Sequence, residues 1–217
     1  MVTAIIGAGN IGRAVATDLV RGGEPVVLAS RTRAEAQKVA DELGPSATAA
    51  DLEDAVATAD AVVFAVYLEA TKDLVRQLGS RLEGKVVIDP SNPVAADSSG
   101  QFARTLPEGV SAASVVGGLL PDGASLVKAF GTLGADALTG AANRAPERAV
   151  LFYATDDDRA DATVRRLIAA AGFDPVGVGG LDRAIRIEMF GDLHQFGGLD
   201  GRLLDAAEAT AAVSSDR

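Results

Sequence analysis

The sequence predicts a doubly wound α/β fold, a mostly parallel sheet with helices on both faces and a short C-terminal helical extension. Three observations carry that prediction. Apolar runs of strand length alternate with amphipathic stretches from the first residue onward. The first run ends in a glycine-rich turn that opens a helix, and no repeat or low-complexity linker interrupts the alternation. Strands joined by crossover helices lie parallel in one sheet, and the helices must cover both of its faces.

The elements follow in order. Residues 2–6 make an apolar strand, after which Ile11, Ala14, Val15 and Leu19 recur on one helical face until Gly22 and Gly23 stop it. Residues 25–29 form a second buried strand, 33–43 a helix ending at Gly44-Pro45, and 47–49 a short extended piece. Asp51 is placed as the N-cap of a helix running through Ala57. An apolar strand at 61–66, a helix at 68–78 and a strand at 85–89 come next, the last running into Pro90-Ser91-Asn92-Pro93. Ser, Gly and Pro make 94–110 a long loop. A helix at 111–120, a strand at 125–129, a short helix at 133–138 and a polar loop at 139–147 follow. Residues 149–154 are again a strand. Thr155 or Asp156 then caps a helix whose inner face is Ala160, Val164, Leu167, Ile168 and Ala171, and Gly172 ends it. A last strand at 175–178 and a helix from near Leu181 complete the chain, with residues 214–217 expected to fray.

Composition narrows the function classes. The 217 residues carry 30 acidic and 20 basic side chains, a formal charge of −10, and no Lys/Arg cluster large enough for a nucleic-acid face. Cysteine is absent, which excludes disulfides, thiolate metal sites and a cysteine nucleophile. The longest apolar runs, such as 61–68, fall far short of the ~20 residues that span a bilayer, and no signal peptide opens the chain. A cytoplasmic enzyme domain with no membrane partner is the expectation. One histidine, four lysines and no tryptophan leave few acid–base groups, so a cofactor is expected to carry the chemistry.

That cofactor is legible at the first turn. Gly7-Ala8-Gly9-Asn10-Ile11-Gly12 follows a strand and opens a helix, the context that a dinucleotide fingerprint requires. Gly7 permits the tight turn, Gly9 lets the backbone approach a pyrophosphate, and Gly12 permits close packing of helix on strand. The free N–H groups of the helix start, Asn10 and Ile11 among them, then face the phosphate charge. An NAD-binding Rossmann sheet usually places an acid at the end of its second strand. Here that strand ends in Ser30-Arg31-Thr32-Arg33, with no carboxylate at the tip. Ser30, Arg31 and Arg33 suit a 2′-phosphate, so NADP(H) is the expected cofactor.

Further motifs add a resemblance. Ser30-Arg31, Asp89-Pro90-Ser91-Asn92-Pro93, Val127-Lys128-Ala129-Phe130-Gly131-Thr132, Ala154-Thr155-Asp156-Asp157 and Gly172-Phe173-Asp174-Pro175 follow the glycine motif in order. Together they resemble the F420-dependent NADP oxidoreductase family, over nearly the whole chain to about Gly201. The resemblance implies a Rossmann fold and hydride exchange between NADP(H) and coenzyme F420 or a flavin-like acceptor. It also implies that Ala65, Val66, Tyr67, Asn92, Pro93, Ala129, Phe130 and Gly131 flank the nicotinamide ribose. The family commonly has Asn where this chain has Gly131, and Pro where it has Tyr67. Gly131 is therefore expected to widen the acceptor side.

The remaining residues leave alternatives. Lys128 could polarise a carbonyl or serve as a strand-end charge, and Phe130 could be core or could wall the nicotinamide. Asp156-Asp157-Asp158 reads as a helix cap and dipole complement rather than a metal site, so no metal is expected. His194 is read as a cation near a helix C-terminus, with a role beside the acceptor as the alternative. Only 39 residues follow Val178, too few for the large helical second domain of hydroxy-acid or pyrroline-carboxylate dehydrogenases. Residues 1–201 are expected to form the NADP-binding domain with its acceptor site, and 202–217 a helix end and tail. The small-molecule acceptor is then walled by the sheet's own turns and the C-terminal helix, or by a second subunit in a homodimer. The competing functions are a non-catalytic NADPH sensor and an NADP-dependent imine or carbonyl reductase.

Overall fold

A computed structural model describes residues 1–215. Its strands are β1 (Thr3–Ile6), β2 (Val26–Ala29), β3 (Ala47–Ala49), β4 (Ala61–Phe64), β5 (Val86–Asp89), β6 (Val94–Ala96), β7 (Phe102–Arg104), β8 (Ser125–Lys128), β9 (Val150–Thr155) and β10 (Asp174–Gly177). The helices are α1 (Asn10–Arg21), α2 (Arg33–Leu43), α3 (Leu52–Thr58), α4 (Leu68–Leu78), α5 (Ala112–Gly117), α6 (Ala135–Ala141), α7 (Asp158–Ala170) and α8 (Ala206–Ser214). Eight strands form one sheet in the order β10-β9-β8-β5-β4-β1-β2-β3. β1 pairs in parallel with β2 on one side and with β4 on the other, so the chain reverses its winding between β1 and β4. The sheet is parallel from β3 to β8, and β8 meets β9 antiparallel.

The strand sequences explain the two-layer core. Alternate residues of β1 and β4 fall into different apolar clusters, Ile5 and Val63 on one face and Ala4, Ile6, Val62 and Phe64 on the other. α1, α2, α6 and α7 cover the first face, and α3, α4, α5 and α8 the second. Every residue of β1 and β4 is buried, as both-face coverage requires.

Four sequence readings are corrected. The expected loop at 94–110 contains an antiparallel hairpin, β6 with β7. Asp97 turns it by accepting from the backbone N–H of Ser99 at 2.8 Å and of Gln101 at 3.0 Å. Its strands have three residues each and are mostly exposed, so they carry no apolar alternation to read. α7 is capped one residue later than expected, by Asp157, which accepts from Ala160 N at 2.8 Å. No long helix starts at Leu181. A 3-10 helix spans Leu181–Ile187, a series of turns follows, and α8 starts only at Ala206 with a capping box from Asp205 and Glu208. Ser214, expected to fray, closes α8, and residues 216–217 lie outside the described part.

Candidate active site

The reversal point between β1 and β4 is where an open α/β sheet binds its ligands. A cleft of about 390 Å³ lies there. It brings together Gly9, Asn10 and Ile11 from the β1–α1 turn, Ala65, Val66 and Tyr67 from the β4–α4 turn, Asn92 after β5, and Gly131 after β8. These turns adjoin because their strands are sheet neighbours.

The glycines of the first turn differ in what they require. Gly7 has φ +112°, and a Cβ there would stand 2.4 Å from the Ala65 carbonyl oxygen. At Gly12 a Cβ would fall 1.9 Å from the Gly7 carbonyl oxygen, so the start of α1 can press on the turn only without a side chain. Gly9 is unlike both. Its φ of −75° and ψ of −169° suit any residue, and a Cβ there would meet nothing within 4 Å. Nothing among the described residues calls for glycine at this place. Gly9 caps α1 with no side-chain hydrogen bond and the first turn holds no acid, so its backbone N–H groups are left for an anion.

Ser30, Arg31 and Arg33 lie outside the cleft, at the end of β2. The expectation of no carboxylate at this tip is corrected. Glu35, in the first turn of α2, accepts from Ser30 Oγ at 2.8 Å and sits 4.0 Å from Arg31. Arg31 keeps 93% of its side chain exposed, so that pairing is weak and exchangeable. Arg33 turns toward β3 instead, at 3.5 Å from both Asp51 and the Ala49 carbonyl.

Further expectations change at the turns after β5 and β8. Phe130 is 1% exposed, in the core with Ala129, so neither lines the cleft, and Pro93 is also buried away from it. Phe130 takes a left-handed φ of 61°, a strained conformation for a bulky residue. Gly131 does line the cleft, but its missing side chain does not widen it. A Cβ would lie 2.3 Å from the Pro90 carbonyl oxygen, so glycine there lets two backbones touch. Lys128 is no free electrophile. Its ammonium is buried, 2.9 Å from Asp89 and 3.6 Å from Glu188, and it also donates to the Ser91 carbonyl.

The C-terminal segment, expected to wall the acceptor as a helix, contributes to the cleft from a series of turns. Met189, His194 and Phe196 line the cleft, as do Pro90, Ser91, Val94, Phe102, Leu133, Gly134 and Ala135. Asn92 is clamped from both ends, donating to Gly131 O at 2.9 Å and accepting from Met189 N at 2.7 Å. His194 Nε2 also meets Gly131 O at 2.9 Å, while His194 Nδ1 accepts from Phe196 N at 3.0 Å. An acceptor at Nδ1 and a donor at Nε2 define the neutral ring. Burial pushes the imidazole pKa down to about 4, against the Gly131 bond that raises it, and the nearby Lys128 charge lowers it further. His194 is therefore neither a helix-end cation nor an imidazolium beside the acceptor. It is a neutral clasp between the segment and the β8 turn. No continuous helix carries it, since the 3-10 helix ends at Ile187 and α8 starts at Ala206, and that is what the sequence reading lacked.

A family model described as NADP oxidoreductase coenzyme F420-dependent matches residues 2–93, the segment from β1 through the turn after β5. Over that N-terminal segment the chain is similar to F420-dependent NADP oxidoreductases. It is 34% identical over 185 residues to the metalloreductase STEAP3 of Rattus norvegicus, covering 85% of this chain and 35% of that protein. It is 29% identical over 146 residues to the F420-dependent NADP reductase of Methanothermobacter thermautotrophicus, covering 63% of each. The chain thus spans about a third of one curated relative and under two thirds of the other. A hypothetical protein of Sinorhizobium meliloti has a solved structure that is similar over 94% of this chain and 95% of its own, at 31% identity and a TM-score of 0.82. The family is one of NADP-dependent oxidoreductases. No helix among the described residues is long and apolar enough to cross a membrane.

Proposed function

We propose that this protein is an NADP-dependent oxidoreductase of that kind and passes hydride between NADPH and a flavin-like or deazaflavin ring bound in the cleft. The supporting observation is the lining itself, which holds no Asp, Glu, Lys or Arg, whose one histidine is neutral with both ring nitrogens engaged, and whose one tyrosine, Tyr67, is 76% exposed at the opening and not positioned by packing. A carbonyl or imine reductase needs a positioned proton donor. Exchange between two rings needs mainly alignment, which this cleft is built to supply.

The residues suit NADP(H). Gly9, Asn10 and Ile11, on a turn made possible by Gly7 and Gly12, would hold the pyrophosphate. Ser30 and Arg31 would hold the 2′-phosphate on releasing Glu35, with Arg33 supporting the strand tip from Asp51. Ala65, Val66, Tyr67, Asn92 and Gly131 would flank the nicotinamide ribose, and buried Pro93, Ala129 and Phe130 would set the turns that carry them. When bound, the dinucleotide supplies the hydride. Asn92 and His194 hold the Gly131 carbonyl in place, and Lys128 with Asp89 holds the Ser91 backbone, so the two turns face each other at a fixed width.

Calorimetry with NADPH and NADH tests this reading. A charged hydrogen bond contributes about 1.5–3 kcal/mol, so NADPH is expected to bind roughly 10- to 150-fold more tightly, and Arg31→Ala to remove most of that preference. Equal wild-type affinities would refute the assignment.

A further inference from the structure

The acid at the end of β2 points in a direction that its own helix does not explain. Glu35 is the third residue of α2, whose N-cap Thr32 accepts from Glu35 N at 3.3 Å. A glutamate at that place can turn back to the N–H of its own cap. Glu208 does so at the same position of α8, accepting from Asp205 N at 3.2 Å. Glu35 reaches past its cap instead. Its Oε2 accepts from Ser30 Oγ at 2.8 Å, and its Oε1 lies 4.0 Å from Arg31 Nη2. A negative charge in a first turn suits the helix dipole whichever way it points, so the dipole accounts for the residue type and not for this direction. One carboxylate thus spans the two side chains assigned to the 2′-phosphate, with one oxygen on each.

The arrangement is loose. The Arg31 side chain is 93% exposed and that of Glu35 47%, and an ion pair so open to water is weak. Arg33, the other guanidinium at this tip, is drawn off to Asp51 and the Ala49 carbonyl, so the contest for an anion falls to Ser30 and Arg31. A phosphate arriving at these two groups must displace Glu35 and then lie beside its charge, because the start of α2 keeps residue 35 close to both. A cofactor with a plain 2′-hydroxyl meets the opposite situation. The carboxylate can stay where it is and accept from the ribose, as acids near this strand end do for NAD.

We infer that Glu35 is a specificity-determining residue, an internal competitor for Ser30 and Arg31 that narrows the preference for NADPH over NADH. The inference rests on the reading of Ser30 and Arg31 as the 2′-phosphate site. Two effects oppose each other when the charge is removed. A competitor disappears, and with it a like charge beside the phosphate, which favours NADPH. The pre-positioning of Arg31 is lost, which disfavours it. That arginine is 93% exposed and so hardly held in place, and the first effect is the larger.

Calorimetry with NADPH and NADH on wild type, Glu35→Gln, Arg31→Ala and the double variant tests the inference apart from the reading beneath it. Both positions are solvent-exposed, so the variants are expected to fold as wild type does. Glu35→Gln keeps the length of the side chain and removes its charge. It is expected to tighten NADPH by about 3- to 10-fold without tightening NADH, so that the ratio of the two affinities widens. In the Arg31→Ala background the same substitution is expected to gain less than about two-fold, because the contested guanidinium is gone. NADPH affinity that is unchanged or weaker in Glu35→Gln would overturn the inference, as would an equal gain for both dinucleotides. Either result, with Arg31→Ala still weakening NADPH, leaves the 2′-phosphate site standing. Wild-type NADPH affinity in Arg31→Ala would instead bring down that site, and the inference with it.

Discussion

Acidification is expected to loosen the clasp at His194. The fold holds this ring neutral, with its pKa lowered from 6.5 to about 4, so the folded chain binds fewer protons there than the unfolded chain. The contribution is fully present above pH 6.5 and is lost as pH falls toward 4, below which both states are protonated. The interval from 6.5 to about 4, at 1.36 kcal/mol for each pH unit, sets the total near 3 kcal/mol. At pH 4.5 about 2 kcal/mol of it is already gone. His194→Gln keeps an amide donor and acceptor but cannot titrate. Urea unfolding of both proteins at pH 7 and pH 4.5 removes the contribution of the carboxylates, which is common to the two. Wild type is expected to lose about 2 kcal/mol more than the variant between those two pH values. Parallel losses would refute the neutral, doubly bonded imidazole and return His194 to a solvated surface group.

Two further outcomes are expected from the same structure. Gly9→Ala meets open space on an unstrained backbone, so its unfolding free energy is expected to stay within about 0.5 kcal/mol of wild type while NADPH affinity, by calorimetry, falls at least about ten-fold. Asp18, buried on α1 with one carboxylate oxygen lacking a hydrogen bond and 3.9 Å from Arg21, has its pKa raised to about 7 by burial, against the lowering effect of Arg21. Its raised pKa makes the fold progressively less stable as pH climbs from about 4 to 7, by a few kcal/mol at most. Asp18→Asn is therefore expected to be more stable than wild type at pH 8, with the advantage vanishing near pH 4. A pH-independent difference in urea unfolding would contradict it.

The sequence by itself determined the wound sheet, the first turn and the class of cofactor to look for. Those features are local. Alternating apolar runs report the strands of β1, β2, β4 and β5 because each strand is buried on both faces, and a Gly-x-Gly-x-x-Gly turn reports its own geometry within six residues. The nearest-neighbour order of the strands then brings 7–12, 65–68, 89–93 and 129–132 together without further information. What the tertiary structure alone decided is which groups at those turns remain free. Lys128 looked available and is consumed by Asp89, 39 positions away. Ser30 looked unopposed and is met by Glu35 across the first turn of α2. Gly131 looked like added space and is a contact with Pro90. His194 looked like a helix-end cation, and Gly131, 63 positions distant, makes it a buried neutral clasp. Each depends on partners remote in sequence or on a side-chain rotamer. Hydrophobic periodicity carries no record of either, because it reports burial and not pairing.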